Sequence, residues 1–290
     1  MRRARAPARA FAVLALIAVG LATAGVVALA GPSGRADGST RRAGRGHSRP
    51  LVPTGRLVFD DEFRGTRLDR HHWSTCYWWG RRGCTIGTDG ELEWYRPREV
   101  VVSRGTARLI ARRRTVHGSD GRTHPFVSGM ISTGPPPGRR RPKFAFRYGW
   151  VQARIRVPVG RGLWPTFWLL PANRSDLPEI DVMEILGQTA DEVHLHLHFT
   201  RAGRESEVGV VRRERGTRGR WHVYGIHWTP SRLTWTLDGR RVFQVTGSAV
   251  PHVRMYLLAD LAVGGGYPGP PDAATRFPAT LRIDWVRVWR

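Results

Sequence analysis

Pro178-Glu179-Ile180-Asp181-Val182-Met183-Glu184-Ile185 places three carboxylates within six positions, separated by apolar residues. In an extended strand successive side chains point to opposite faces. Glu179 and Asp181 then share one face, and Ile180 and Val182 share the other. Glu184 falls on the wrong face by one residue. A β-bulge at Val182-Met183 inserts one residue and returns Glu184 to the carboxylate face. The expected result is a row of Glu179, Asp181 and Glu184, with the two longer side chains leaning toward each other over Asp181.

Just upstream, Trp164-Pro165-Thr166-Phe167-Trp168-Leu169-Leu170-Pro171 reads as a neighbouring apolar strand with Trp164 and Trp168 on one face. The rival reading of the acidic stretch is a solvated strand face. Carboxylates beside indoles argue instead for a sugar site. Retaining glycoside hydrolysis needs two carboxyl groups roughly 5–5.5 Å apart, one as nucleophile and one as acid/base. One must stay ionised while the other keeps its proton, and like-charge crowding together with burial separates their proton affinities. Asp181 is placed to hydrogen-bond the nucleophile.

The run E-I-D-V-M-E after G-L-W-P-T-F-W-L-L-P resembles glycoside hydrolase family 16 in its bulged E-x-D-x-x-E form. Within that family it is similar to the laminarinase branch, the endo-β-1,3-glucanases, rather than to the lichenases, whose motif lacks the extra residue. Agarases and carrageenases also carry the bulge, so the motif does not fix the sugar. The resemblance spans about residues 57–289. It implies an all-β, two-sheet β-jelly-roll sandwich of the concanavalin A type with a concave substrate cleft. Short strands, many turn residues and almost no helical periodicity agree with an all-β chain.

The resemblance also implies roles: Glu179 as nucleophile, Glu184 as acid/base, Asp181 as assistant to Glu179, and Trp164, Trp168 and His198 as sugar contacts. Arg154, in a stretch similar to the family's F-x-Y-G-Y-V-E-A-R-I-K-x-P, is expected to point into the cleft with Gln152, which stands where Glu is usual. Asp89-Gly90-Glu91-Leu92-Glu93-Trp94-Tyr95 alternates so that Asp89, Glu91, Glu93 and Tyr95 share a face. It resembles the family's N-x-E-x-Q-x-Y, and Glu91 is expected to line the sugar subsites. Asp89 and Glu93 replace an Asn and a Gln there. Asp260, in Tyr256-Leu257-Leu258-Ala259-Asp260-Leu261-Ala262-Val263-Gly264-Gly265, replaces another Asn at a substrate-binding position. A carboxylate only accepts hydrogen bonds where an amide also donates, so these changes bear on subsite preference rather than on the chemistry.

No cofactor is required by this chemistry. The family often holds a structural calcium on its convex side, and the matching positions are Glu62, the Gly105 carbonyl and Asp284, oxygen ligands of the kind calcium takes. Val193-His194-Leu195-His196-Leu197-His198-Phe199 alternates cleanly, placing three histidines on the groove face. Three such ligands could bind zinc, but the Glu-Asp-Glu chemistry needs no metal. Cys76 and Cys84 are the only cysteines. In an exported chain a close pair reads as a disulfide, and it would pin the Tyr77-Trp78-Trp79 loop, with two unpaired thiols as the alternative.

The chain's 290 residues, 41% hydrophobic with 34 Gly, 20 Pro and 12 Trp, fit one large β domain rich in turns and aromatic surface. The net charge of +24 would suit nucleic acid or an anionic surface. No nucleic-acid motif or basic helix accompanies it, so no nucleic-acid partner is expected. Lys143 is the only lysine among 47 basic residues, a bias that G+C-rich coding would give. An acidic polysaccharide or cell-wall adhesion would find a use for the arginines.

Residues 1–30 pair an arginine-rich start with twenty uncharged residues and end in Ala28-Leu29-Ala30. They read as a signal peptide, with an uncleaved membrane anchor as the alternative. Residues 31–53, poor in apolar side chains, are expected to be a flexible linker, and residues 54–290 the catalytic domain. The expected protein is a secreted monomer, or one anchored with its domain outside, that hydrolyses β-1,3-linked glucan internally with retention. The rivals are the same mechanism on mixed-linkage glucan, agarose or carrageenan, a transglycosylase, and a non-catalytic glucan-binding module. The module should lack Glu179 or Glu184, and both are present.

Overall fold

The computed structural model describes residues 50–80 and 84–290. The signal peptide or anchor at 1–30, and most of the linker at 31–53, lie outside the described residues. Of the linker's end, Leu51 donates its N–H to the Gly239 carbonyl.

The strands in chain order are β1 (Leu57–Asp61), β2 (Glu93–Tyr95), β3 (Val100–Val102), β4 (Ala107–His117), β5 (Thr123–Ser128), β6 (Met130–Ser132), β7 (Gly149–Arg156) and β8 (Leu163–Pro171). They continue as β9 (Glu179–Glu184), β10 (Glu192–Arg201), β11 (Arg204–Arg213), β12 (Trp221–Thr229), β13 (Arg232–Leu237), β14 (Arg240–Thr246), β15 (Met255–Val263) and β16 (Ala279–Trp289). Only short 3-10 turns interrupt them among the described residues. One sheet has six strands in the order β11-β10-β9-β8-β15-β6. The other has ten, along the path β14-β13-β12-β7-β16-β4-β5-β2, with β1 beside β16 and β3 beside β4. The chain is thus an all-β sandwich, as its alternating short strands lead one to expect.

The core lies between the sheets. Ile180, Val182 and Met183 of β9, Leu195 and Leu197 of β10, and Phe167 and Leu169 of β8 are all buried there. From the ten-stranded sheet they meet Val151, Ala153 and Ile155 of β7, Ile226 and Trp228 of β12, and Trp235 of β13. Each apolar side chain so covered stabilises the fold by about 1.5–3 kcal/mol. With this face committed to the core, β9 must turn its acidic side chains to the outer face of the six-stranded sheet.

Three stretches depart from what their sequence suggests. Residues 113–123 are polar and Gly-containing, as a surface loop would be, yet β4 continues through them to His117, with exposed side chains from Arg112 to Thr115. Cross-strand pairing with β5 holds it, and backbone pairing leaves no apolar signal in the sequence. The stretch 126–133 is not one strand. It breaks at Gly129 and passes from the ten-stranded sheet (β5) to the six-stranded one (β6). A Cβ at Gly129 would sit 2.5 Å from the Glu99 carbonyl oxygen, so only glycine fits this crossing. In the motif-like stretch from Phe144, strand β7 begins only at Gly149, where Tyr148 and Gly149 both take positive φ (64° and 118°). The Asp238-Gly239 hairpin forms as expected, with φ of 50° and 75°.

Candidate active site

Register defines the site. Glu184, Met183 and Asp181 of β9 lie opposite Thr166, Phe167 and Trp168 of β8, so two steps on β9 match one on β8 between Phe167 and Trp168. On the other side Glu184 faces His194 and Asp181 faces His196, with the same shift. The extra residue is the bulge at Val182-Met183. Both of these side chains are buried in the core, and Glu179, Asp181 and Glu184 stand together on the outer face.

Glu179 is partly exposed, and Asp181 and Glu184 are buried. Trp164 Nε1–H donates to Glu184 Oε1 at 3.1 Å. His198 Nε2 lies 3.4 Å from Asp181 Oδ2, and His196 Nε2 lies 3.8 Å from Glu184 Oε2. Burial, and next the charge of Asp181, push Glu179 well above the usual carboxylate range, with the His198 charge opposing. The same two causes push Glu184 up to about 8. Burial alone would lower His198, but the Asp181 carboxylate 3.4 Å away and the Glu179 charge raise it to about 10. Burial and mutual crowding thus push both glutamates upward, and the His198 charge is what opposes the rise at Glu179. Asp89 adds a fourth carboxylate that interacts with His198 and Glu179, and burial raises it to about 6.

Three expected sugar contacts turn out to support the site from beneath. Trp168 is buried: its ring meets Tyr77 edge-on, and its Nε1–H donates to Asp260 Oδ2 at 2.8 Å. Asp260 is buried too. It accepts from Trp168, from Thr166 Oγ1 at 2.8 Å, and from the Tyr95 and Tyr77 hydroxyls at 3.3 and 3.4 Å. Four donors converge on one carboxylate, which accounts for an acid where an amide would bring N–H groups against N–H and O–H donors. Glu91 is likewise buried, accepting from the Ile86 N–H and the Thr85 hydroxyl. The adjoining Glu93 accepts from the Val263 N–H and lies 3.1 Å from the same Thr85 hydroxyl, whose one proton the two acids share. Alternation correctly put these acids on one face, but the loop packed over that face covers them.

Arg154 does not join the site. It belongs to β7 in the ten-stranded sheet, where it donates to Asp284 at 2.6 Å and lies over the Trp221 ring. Gln152 is on the same side of that strand, since Val151, Ala153 and Ile155 take the core side. The motif places these residues along the chain but does not say which sheet their strand joins.

Two of the expected calcium ligands meet arginines. Asp284 pairs with Arg154, and Glu62 accepts from the Arg287 guanidinium, which also reaches Asp60 at 3.3 Å. Both carboxylates are thus held by guanidinium groups, and a calcium ion would have to displace Arg154 and Arg287 to reach them. On β10, donor atoms of His196, His198 and Glu207 lie within 4.8 Å of one another, as do those of Glu179, Asp181 and His198. Imidazole faces carboxylate in each group, and ion pairing accounts for the closeness without a metal. Cys76 and Cys84 form a disulfide, and Tyr77 and the half-buried Trp78 and Trp79 pack with it.

Tyr267 was not singled out from the sequence. Its ring meets Trp164 and His194 edge-on, and its hydroxyl bonds His194 Nδ1. Only the glycines at 264–266 hinted at a loop that folds back over the sheet. Two surface hollows, one around Phe144 and Arg254 and one around Leu68 and Pro97, contain none of the catalytic row. The row lies instead on the open outer face of the six-stranded sheet.

The family profile Glycosyl hydrolases family 16 matches residues 109–287. The endo-1,3-1,4-beta-glycanase EglC of Rhizobium meliloti is 28% identical over 80% of this chain and 51% of its own length. The glucan endo-1,3-beta-glucosidase A1 of Niallia circulans is 30% identical over 83% of this chain and 39% of its own. The chain thus spans about half or less of the length of these two curated relatives. The solved endo-beta-1,3-glucanase of Pyrococcus furiosus superposes with a TM-score of 0.69 at 29% identity, covering 81% of this chain and 94% of that one.

Proposed function

The chain belongs to glycosyl hydrolases family 16, and on that premise we propose that it hydrolyses internal β-1,3-glucosidic bonds of laminarin-type glucans with retention of configuration. The observation that carries this reading is the carboxylate row, in which the bulge brings Glu184 onto the face of Glu179 and Asp181. Relatives named for action on β-1,3-glucans support the substrate.

In the first step Glu179 attacks the anomeric carbon, and Glu184 gives its proton to the glycosidic oxygen as that bond breaks. A value near 8 keeps Glu184 protonated for this at neutral pH. The His198 imidazolium, held by Asp181, favours the ionised form of Glu179. In the second step Glu184, now a carboxylate, takes a proton from water as the water displaces Glu179 from the anomeric carbon. Two inversions leave the configuration unchanged.

A second reading, hydrolysis of mixed-linkage β-1,3-1,4-glucan, has support in the similarity to EglC. The Cys76–Cys84 disulfide supports a site of action outside the cytoplasm. The test is reducing-sugar release from laminarin, with barley mixed-linkage glucan, agarose and κ-carrageenan in parallel and the anomer followed by NMR. Laminarin should yield short oligomers whose first-formed anomer is β. Glu179→Gln should lose at least about a thousandfold in kcat, in line with removal of a covalent nucleophile. Silence on laminarin with release from a galactan would overturn the substrate, and full activity in Glu179→Gln would overturn the site.

A further inference from the structure

The three histidines of β10 form a ladder along the edge of the carboxylate row. The rings of His194 and His196 are 6.3 Å apart and tilted by 9°, and those of His196 and His198 are 5.9 Å apart and tilted by 12°. The middle ring is held from one side and presented on the other. Its Nδ1 bonds the Glu207 carboxylate of β11. Its Nε2 is buried, has no hydrogen-bond partner, and lies 3.8 Å from Glu184 Oε2.

Resting on the reading of Glu184 as acid/base, we propose that His196 is a positioning residue for that group: Glu207 fixes its ring, and its Nε2–H faces the Glu184 carboxyl to stabilise the carboxylate left when the proton departs. The ladder is built for this division of labour. His194, bonded to the Tyr267 hydroxyl, is lowered to about 4 by burial and by the His196 charge, so it stays neutral. Burial also opposes a charge on His196. The Glu207 hydrogen bond and the charges of Glu184 and Asp181 outweigh it and raise His196 above its ordinary value. His198 serves Asp181 and Glu179 instead, with Glu205 3.8 Å from its other nitrogen.

The other ionisable groups around the pair are accounted for. Tyr267 lies over the row from the loop after β15, raised by burial first and then by Glu184, Glu207 and Asp181, and it stays neutral. Asp89 interacts with the His198 end of the ladder. Glu184 itself has three groups that favour its ionised form: His196 first, then His198 and the Trp164 N–H. Removing His196 therefore takes away the largest of them.

The experiment is a carbon-13 NMR titration of the Glu184 carboxyl in the full-length protein and in His196→Thr and Glu207→Gln, with kcat and KM on laminarin measured over the same pH range. Threonine suits a strand, and Glu207 is exposed enough that its amide leaves the fold intact. The expected result is an upward shift of the Glu184 midpoint by about one pH unit or more in His196→Thr, the size an opposite charge at this distance gives. Glu207→Gln should give a smaller shift of the same sign. The alkaline limb of kcat should move with the midpoint and KM should not change. A Glu184 midpoint unmoved in both variants, or a change confined to KM, overturns the proposal. The titration needs no turnover, so it decides the role of His196 even if laminarin proves to be the wrong substrate.

Discussion

The catalytic bulge is braced from the opposite sheet, and that brace can be removed. Trp235 of β13 is wholly buried, packs on Phe243, and donates its Nε1–H to the Asp181 backbone carbonyl at 2.8 Å. Asp181 sits where the ladder slips a register on both sides. Trp235→Phe keeps an aromatic ring but removes that donor from the carbonyl. Losing a buried hydrogen-bond partner costs about 1–3 kcal/mol. The space left by the smaller ring adds roughly 1–2 kcal/mol, below the 3–5 of truncation to alanine. The sum, about 2–5 kcal/mol, should lower Tm by roughly 5–15 °C for a domain of this size. A shift of the carboxylate row by even 1 Å costs about a hundredfold in rate, so kcat should fall about tenfold to a hundredfold at temperatures where the variant is folded. Trp228→Phe is the control. Trp228 is equally buried in the same core but donates to the Pro251 carbonyl, so it should lose comparable stability and keep kcat. Differential scanning calorimetry and laminarin assays on both variants decide the matter. Equal kcat losses in the two, or a Trp235→Phe protein with wild-type Tm and kcat, would refute the bracing.

Three further outcomes follow from the structure. The proposed mechanism needs Glu184 protonated, a state burial and the Asp181 charge extend to about pH 8, so kcat/KM should fall tenfold per pH unit above that point; a limb below pH 6 would contradict the proposal. Asp260 and Glu93 are raised by burial to about 6 and about 7. Folded values above the unfolded ones give stability that is complete below about pH 4 and lost as pH rises through 6 and 7. Tm should therefore decline between about pH 4 and pH 7, and Asp260→Asn should flatten the decline; equal slopes in the two proteins would count against a charged Asp260. The Cys76–Cys84 link closes a loop with a sequence separation of 8, which in the chain-entropy account is worth about 2–3 kcal/mol. Cys76→Ser with Cys84→Ser should lower Tm by roughly 5–10 °C, and an unchanged Tm would show that the loop is held by Tyr77 and Trp168 packing alone.

The sequence by itself determined the all-β class, the strand that carries the chemistry, and even its irregularity. Parity is a local property: Glu184 is one residue out of step with Glu179 and Asp181, while Ile180, Val182 and Met183 must reach a core, and only a bulge satisfies both. The Asp238-Gly239 turn was legible for the same reason, since its backbone geometry is set by two adjacent residues. What alternation could not supply was the identity of the sheet or of whatever lies above a face. Arg154 and Glu179 read alike as polar positions on alternating strands, yet β7 and β9 sit in opposite sheets, and that depends on long-range pairing. Glu91, Trp168 and Asp260 lie on the side facing the substrate, yet a loop from elsewhere in the chain covers them and makes them supports rather than contacts. The Glu62 and Asp284 carboxylates matched a calcium site by position, and only packing revealed the Arg287 and Arg154 guanidinium groups against them. The brace from Trp235 and the hold of Glu207 on His196 likewise join residues distant in sequence, through contacts that exist only once the strands have paired.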